Sequence, residues 1–115
     1  MVLDLYWEDI DENEYKIASL EHNNEMYTLS INEQSLKNAT HHGCFGIGEC
    51  KFLMNKYNSK ELFPFFKNRI PSSEHPRIDK ILKKYNLDKY DEMELLRMTE
   101  GRLVTDRYYL KEKSI

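Results

Sequence analysis

Cysteine, proline and glycine are all scarce in this chain of 115 residues, with two, three and four copies. Two cysteines, Cys44 and Cys50, make no disulfide framework, and free thiols in a reducing compartment are the expectation. The chain has no run of about 18 apolar residues, so no helical membrane span is expected. Met1-Val2-Leu3-Asp4 has no basic region followed by a long apolar stretch, so it does not read as a secretory signal, and a cytoplasmic location is expected. An excess of charge of one sign is missing too. Seventeen basic residues face twenty acidic ones, for a net charge of −3. That balance lacks the clustered basic surplus of a protein that binds nucleic acid directly.

What the chain does hold is aromatic: eight Tyr, five Phe and the single Trp7. A chain of this length can bury roughly two-thirds of its unfolded surface, enough for one core without metals or disulfides. One domain over residues 1–115 is expected. Residues 2–7 read as a strand that the acidic run 8–14 ends, most simply as a solvated turn. Residues 15–20 read as a second strand, Asn23-Asn24 as a tight turn at positive φ, and residues 27–31 as a third strand with alternating polarity. Residues 32–42 suit one or two helical turns, and Gly43, Gly46 and Gly48 mark a loop before a short strand over residues 51–57. Three helices follow. Leu62, Phe65, Phe66 and Arg69 share a face of the first, Pro64 fits its opening turn, and Pro71 ends it. Ser73 can cap the second, with Pro76 in its first turn. Its Ile78, Ile81, Leu82 and Tyr85 give the cleanest helical period in the chain, and Asn86 suits a left-handed cap. Asp88 opens the third, with Met93, Leu95 and Leu96, and Gly101 stops it. Residues 103–110 read as a closing strand. The fold class is α+β: a small antiparallel β-meander followed by three short helices and a closing strand.

Candidate chemistry is thin. His41-His42-Gly43-Cys44 and Cys50 are metal-binding residue types, but their spacing fits no standard zinc site, and the group reads as a polar loop with incidental thiols. Gly46-Ile47-Gly48 lacks the third glycine of a dinucleotide fingerprint, where Lys51 stands, and the loop lacks a P-loop ending. Cys44 with His41 or His42 could be a nucleophile and base, yet no oxyanion element or orienting acid can be picked out. The face of Leu62, Phe65 and Phe66 has the spacing of core, and Lys83-Lys84 that of a wet helix side. Asn38-Ala39-Thr40 matches a glycosylation sequon that a cytoplasmic chain would not use. The expectation is a protein that is not an enzyme, with no catalytic, cofactor or metal residues.

The order of motifs resembles the N-terminal subdomain of HipA-type kinases, the toxins of bacterial toxin–antitoxin systems. Leu5-Tyr6-Trp7-Glu8-Asp9 answers to the opening strand and polar turn of that subdomain. Ile17-Ala18-Ser19-Leu20, Asn23-Asn24 and Tyr27-Thr28-Leu29 answer to its hairpin. Pro64-Phe65-Phe66-Lys67-Asn68-Arg69-Ile70-Pro71 is similar to its helix reading roughly Pro-Phe-Phe-x-Asn-Leu-Leu-Pro, the most specific match. Tyr85-Asn86-Leu87, Tyr90-Asp91 and Leu95-Leu96 follow in the family's order, and Thr99-Glu100-Gly101-Arg102-Leu103 resembles its closing turn. Ser72-Ser73 stands where the family usually has Glu-Gly, and residues 43–57 replace its Pro/Leu/Ser-rich stretch. No Asp/Asn catalytic loop of a kinase is found.

The resemblance implies a HipS-like antitoxin of a split system, which binds and inhibits a HipT-like serine/threonine kinase. A HipB-like helix-turn-helix protein would supply operator binding in a ternary complex. Trp7, Phe63, Phe65, Lys67 and Arg69 are the expected contact residues, since aromatic and arginine anchors carry most interfaces. Neither a cofactor nor direct nucleic-acid or membrane binding is implied. The alternatives are a non-inhibitory scaffold that completes a kinase, a small DNA-binding accessory domain, and a hydrolase using Cys44.

Overall fold

Leu3, Leu5 and Trp7 alternate with Asp4, Tyr6 and Glu8, and a period of two turns the first set to one face of a strand. The computed structural model, which describes residues 1–48 and 55–113, forms this strand as β1 (Val2–Glu8). The order continues β2 (Glu14–Asn23), β3 (Met26–Ile31), α1 (Glu33–His41), β4 (Lys56–Ser59), α2 (Pro64–Lys67), α3 (Ile78–Lys84), α4 (Glu92–Thr99) and β5 (Tyr108–Glu112). The sheet runs β4-β3-β2-β1-β5, and each neighbouring pair is antiparallel. The meander and closing strand are therefore both present, with β5 returning beside β1.

Register decides which residues make the core. Leu3 pairs with Leu20, which pairs with Leu29, which pairs with Tyr57; Leu5 stands between Ala18 and Leu110. These side chains, except the half-buried Tyr57, are buried, and the helices supply Leu36, Ala39, Phe66, Met93, Leu95 and Leu96 to the same core. On the opposite face Asp4 pairs with Ser19 and Lys111, and Tyr6 with Lys16 and Tyr109. A bulge opposite Leu5 and Tyr6 leaves Ile17 as the extra residue of β2. Ile17 and Ala18 both join the core cluster, where plain alternation would put one of them on the opposite face.

Several boundaries differ from the sequence expectation. Positive φ falls on Asn24 and Glu25, one residue later than Asn23-Asn24, because Asn23 still pairs with Met26. Asn32 caps α1, accepting a hydrogen bond from the Ser35 N–H at 3.1 Å. Helix α2 is a single turn, and Arg69 lies past its end, its N–H donating to the Phe66 carbonyl at 3.0 Å. Ser73 does not cap α3. Residues 72–77 turn instead through Ser72 and His75, whose side chains accept from the N–H of Glu74 and Arg77, and the helix starts only at Ile78. Asp91, rather than Asp88, caps α4 by accepting from the Glu94 N–H at 3.1 Å. The closing strand starts at Tyr108, not residue 103, because Asp106 organises a turn and accepts from the Tyr108 N–H. Asn86 takes the left-handed conformation as expected, φ 57°, and the Leu87 N–H reaches the Leu82 carbonyl across it. Of the strand expected over residues 51–57, residues 51–54 lie outside the described residues; β4 begins at Lys56.

Candidate partner-binding surface

Pro64 opens α2 at the first helical position, where its missing N–H costs nothing. The Phe63 carbonyl accepts from the N–H groups of Phe66 and Lys67 at 2.9 and 3.0 Å. That one turn sends Leu62, Phe63, Phe66 and Ile70 inward and leaves Lys67 exposed. Phe65 is half-buried and lies edge-on to both Phe66 and Tyr108, with ring centroids 5.1 and 5.0 Å away. Beside it, Lys67, Asn68, Ile70, Ser72, Ser73, Tyr90 and Glu92 line a polar groove of about 560 Å³. The Tyr90 hydroxyl donates to the Pro71 carbonyl and the Tyr27 hydroxyl to Glu92. Burial, then Glu92, pushes both phenols above their ordinary value.

Arg69 is 8% exposed. Its guanidinium meets both carboxylate oxygens of Asp106, donates to the Gly101 carbonyl at 2.9 Å, and lies against the rings of Phe65 and Tyr108, 4.4 and 5.1 Å from their centroids. A planar, forked cation suits this double task in a way a lysine would not. It fastens the end of α2 to the loop that feeds β5. The Tyr108 hydroxyl donates to the Gly46 carbonyl and touches Cys44 Sγ at 3.5 Å. Burial pushes this phenol up, Cys44 and Asp106 add to the shift, and Arg69 opposes it. Cys44 is buried and also accepts from the Gly46 N–H, so it packs as a small core side chain. His42 stacks on Tyr15 at 5.6 Å and its Nδ1 contacts the Asn38 carbonyl. Cys50 lies outside the described residues, among which no three metal-ligating side chains gather.

Trp7 is buried between its cross-strand neighbours Tyr15 and Tyr108. Tyr15 is in turn tied to Asp9, and here the reading of residues 8–14 as a solvated turn needs correction. Asp11, Glu12 and Glu14 are exposed, but Asp9 is 2% exposed. Its carboxylate accepts from the backbone N–H groups of Asp11 and Asn13, the Asn13 amide and the Tyr15 hydroxyl, at 2.9 to 3.1 Å. Desolvation raises its pKa, and these hydrogen bonds, those of Asn13 foremost, outweigh it and hold the carboxyl below its ordinary value. The spacing Asp9-x-Asp11-x-Asn13-x-Tyr15 is the sequence signal for this cage.

Tyr108 thus links the expected contact residues: it is cross-strand to Trp7 and touches Phe65 and Arg69. Neither Tyr108 nor Asp106 stood out in the sequence, for their partners lie dozens of residues away. Trp7, Phe63 and Arg69 are committed to the chain's own core; Phe65 and Lys67 are the members that present surface. A scan against protein-family models, a search of curated proteins and a search of solved structures return no match to this chain.

Proposed function

We propose that the chain acts by binding a protein, as a HipS-like antitoxin in the cytoplasm that holds a HipT-like serine/threonine kinase inactive. The observation that carries the reading is the segment Pro64-Phe65-Phe66-Lys67-Asn68-Arg69-Ile70-Pro71 in its sequence context. It resembles the most specific motif of the HipA-type N-terminal subdomain and stands in the same order among the other motifs. The α+β arrangement of meander, helices and closing strand is compatible with such a subdomain. Inhibition would arise from preference: a ligand that binds the inactive kinase conformation more tightly shifts the population toward it. A HipB-like DNA-binding protein is the expected third member of the complex.

Co-expression with a kinase encoded beside this chain tests the reading. A complex that survives gel filtration and relieves growth inhibition by the kinase is the expected result. A stable complex with undiminished toxicity would leave a scaffold role in place of the antitoxin role. Absence of any complex would remove the reading altogether.

A further inference from the structure

Among the described helices, α3 alone has no buried residue. Its Ile78, Ile81, Leu82 and Tyr85 are half-buried, and its outward side is basic. Arg77, at the cap position, Lys80 and Lys84 stand at i, i+3 and i+7. At about 100° per residue they fall within about 60° of one another, which makes one stripe along the helix. All three are exposed, as is Lys83. Among the described residues none of these four forms an ion pair, whereas Lys16, Arg69, Arg97, Arg102 and Lys111 do. Lys84 Nζ stands 5.6 Å from the centre of the Tyr85 ring, a contact that leaves its charge unpaired. Lys80 and Lys84, one turn apart, are like charges that destabilise the helix holding them.

The stripe runs against the character of the chain. Residues 77–89 hold five basic and two acidic residues, and the rest of the chain holds twelve and eighteen. The two acids stand off the stripe. Asp79 lies about 100° or more round the helix from each of its members. Asp88 follows the left-handed Asn86 past the helix end. Both acids line a groove with Leu82, Lys83 and Leu87, to which no member of the stripe belongs. We infer that the stripe docks an acidic segment of a protein partner, whose carboxylates are spaced to meet Arg77, Lys80 and Lys84. Its length, about 10 Å, has room for three or four opposing charges. Binding to duplex DNA through phosphates draws on about 6–10 contacts. A long polyanion or an anionic membrane would also run on to a surface where acids outnumber bases. The inference rests on the reading of the chain as a protein-binding module, and adds which surface binds and what charge it selects.

The test uses the full chain and two variants. Arg77→Gln/Lys80→Gln/Lys84→Gln neutralises the stripe. Lys37→Gln/Lys60→Gln/Lys113→Gln removes the same charge from exposed lysines elsewhere. Thermal melting checks that both stay folded. The probe is a helical Ala/Glu peptide with glutamates three and four residues apart. An Ala/Lys peptide of the same spacing, a short DNA duplex and phosphatidylserine vesicles are the comparisons. Amide chemical shifts at low salt follow the titration, because they register weak binding. The Ala/Glu peptide is expected to shift the amides of residues 77–85 in wild type and in the elsewhere variant, to bind the stripe variant at least about fivefold more weakly, and to be released by salt. Equal binding by the stripe variant, equal loss in the elsewhere variant, or no shift in wild type would each overturn the inference. Tighter binding of duplex or vesicles at these residues would overturn it in favour of a nucleic acid or a membrane. Shifts there that grow with protein concentration alone would put a second copy in the partner's place. The kinase assay above, repeated with the stripe variant, separates the two ideas. Peptide binding as expected without a kinase complex keeps the stripe and removes the kinase. A kinase complex undiminished in the stripe variant keeps the kinase and removes the stripe.

Discussion

Arg69 shows how one side chain can look like an interface anchor and serve as an internal fastener. A buried cation is tolerable only when its charge is answered, and here Asp106 and the Gly101 carbonyl take the two terminal nitrogens of Arg69 and two aromatic faces flank the charge, while Nε is buried without a hydrogen-bond partner. Arg69→Met keeps the length of the side chain and discards the charge, leaving Asp106 without its cation and with only the Tyr108 N–H. The expected loss is about 2–3 kcal/mol, at or below the roughly 3–5 kcal/mol for breaking a fully buried pair, because Asp106 keeps 27% side-chain exposure and can recover water. Urea unfolding at the wild-type midpoint would contradict the fastener role. Asp9 gives a prediction in pH. Its carboxyl is held below its ordinary value in the folded chain. Its contribution is therefore present above the unfolded-state value of about 3.9 and is lost as pH falls through the lower folded-state value. Asp9→Asn should flatten the acid limb of stability against pH. An acid limb as steep as wild type would show that other carboxylates govern it.

At the scale of elements, the junction of α4 and β5 is the most constrained. Glu100 and Gly101 both take left-handed φ, 59° each, and the Glu100 carbonyl accepts from the Leu110 N–H at 2.8 Å. A side chain at residue 101 has no room: a Cβ there would lie 2.7 Å from Leu110 Cδ1 and 3.3 Å from Leu96 Cδ2. Gly101→Ala should cost more than about 1 kcal/mol, the backbone penalty alone, since the core must also shift. Glu100→Gly, at the same φ without that crowding, should cost nothing or stabilise slightly, because it removes the penalty and loses only an exposed ion pair. Chemical unfolding of the two variants checks the contrast, and equal stability of the two would contradict it. The stop at Gly101 was legible in the sequence; the strain one residue earlier was not, for nothing local marks Glu100 as left-handed.

For the whole molecule, legibility followed sequence separation. The apolar and aromatic run over residues 2–7 is local, and it placed β1 to within one residue. The Arg69–Asp106 pair joins residues 37 apart and has no local signature. Helix α3 shows a further limit. Ile78, Ile81, Leu82 and Tyr85 give the cleanest helical period in the chain, yet α3 buries no residue completely. Period reports which side faces inward, not how well that side is covered. Strand β1 is the opposite case, bonded on both edges by β2 and β5, with Leu3 and Leu5 wholly buried. Amides open in units whose free energies follow buried contact, so β1 should exchange hydrogen only through global unfolding and α3 through local opening. The expected gap is on the order of a hundredfold in protection, equal to about 3 kcal/mol. Low urea should speed exchange in β1, where opening exposes much surface, and leave α3 almost unchanged. Equal protection and equal urea dependence would mean that α3 is locked to the sheet as one cooperative unit.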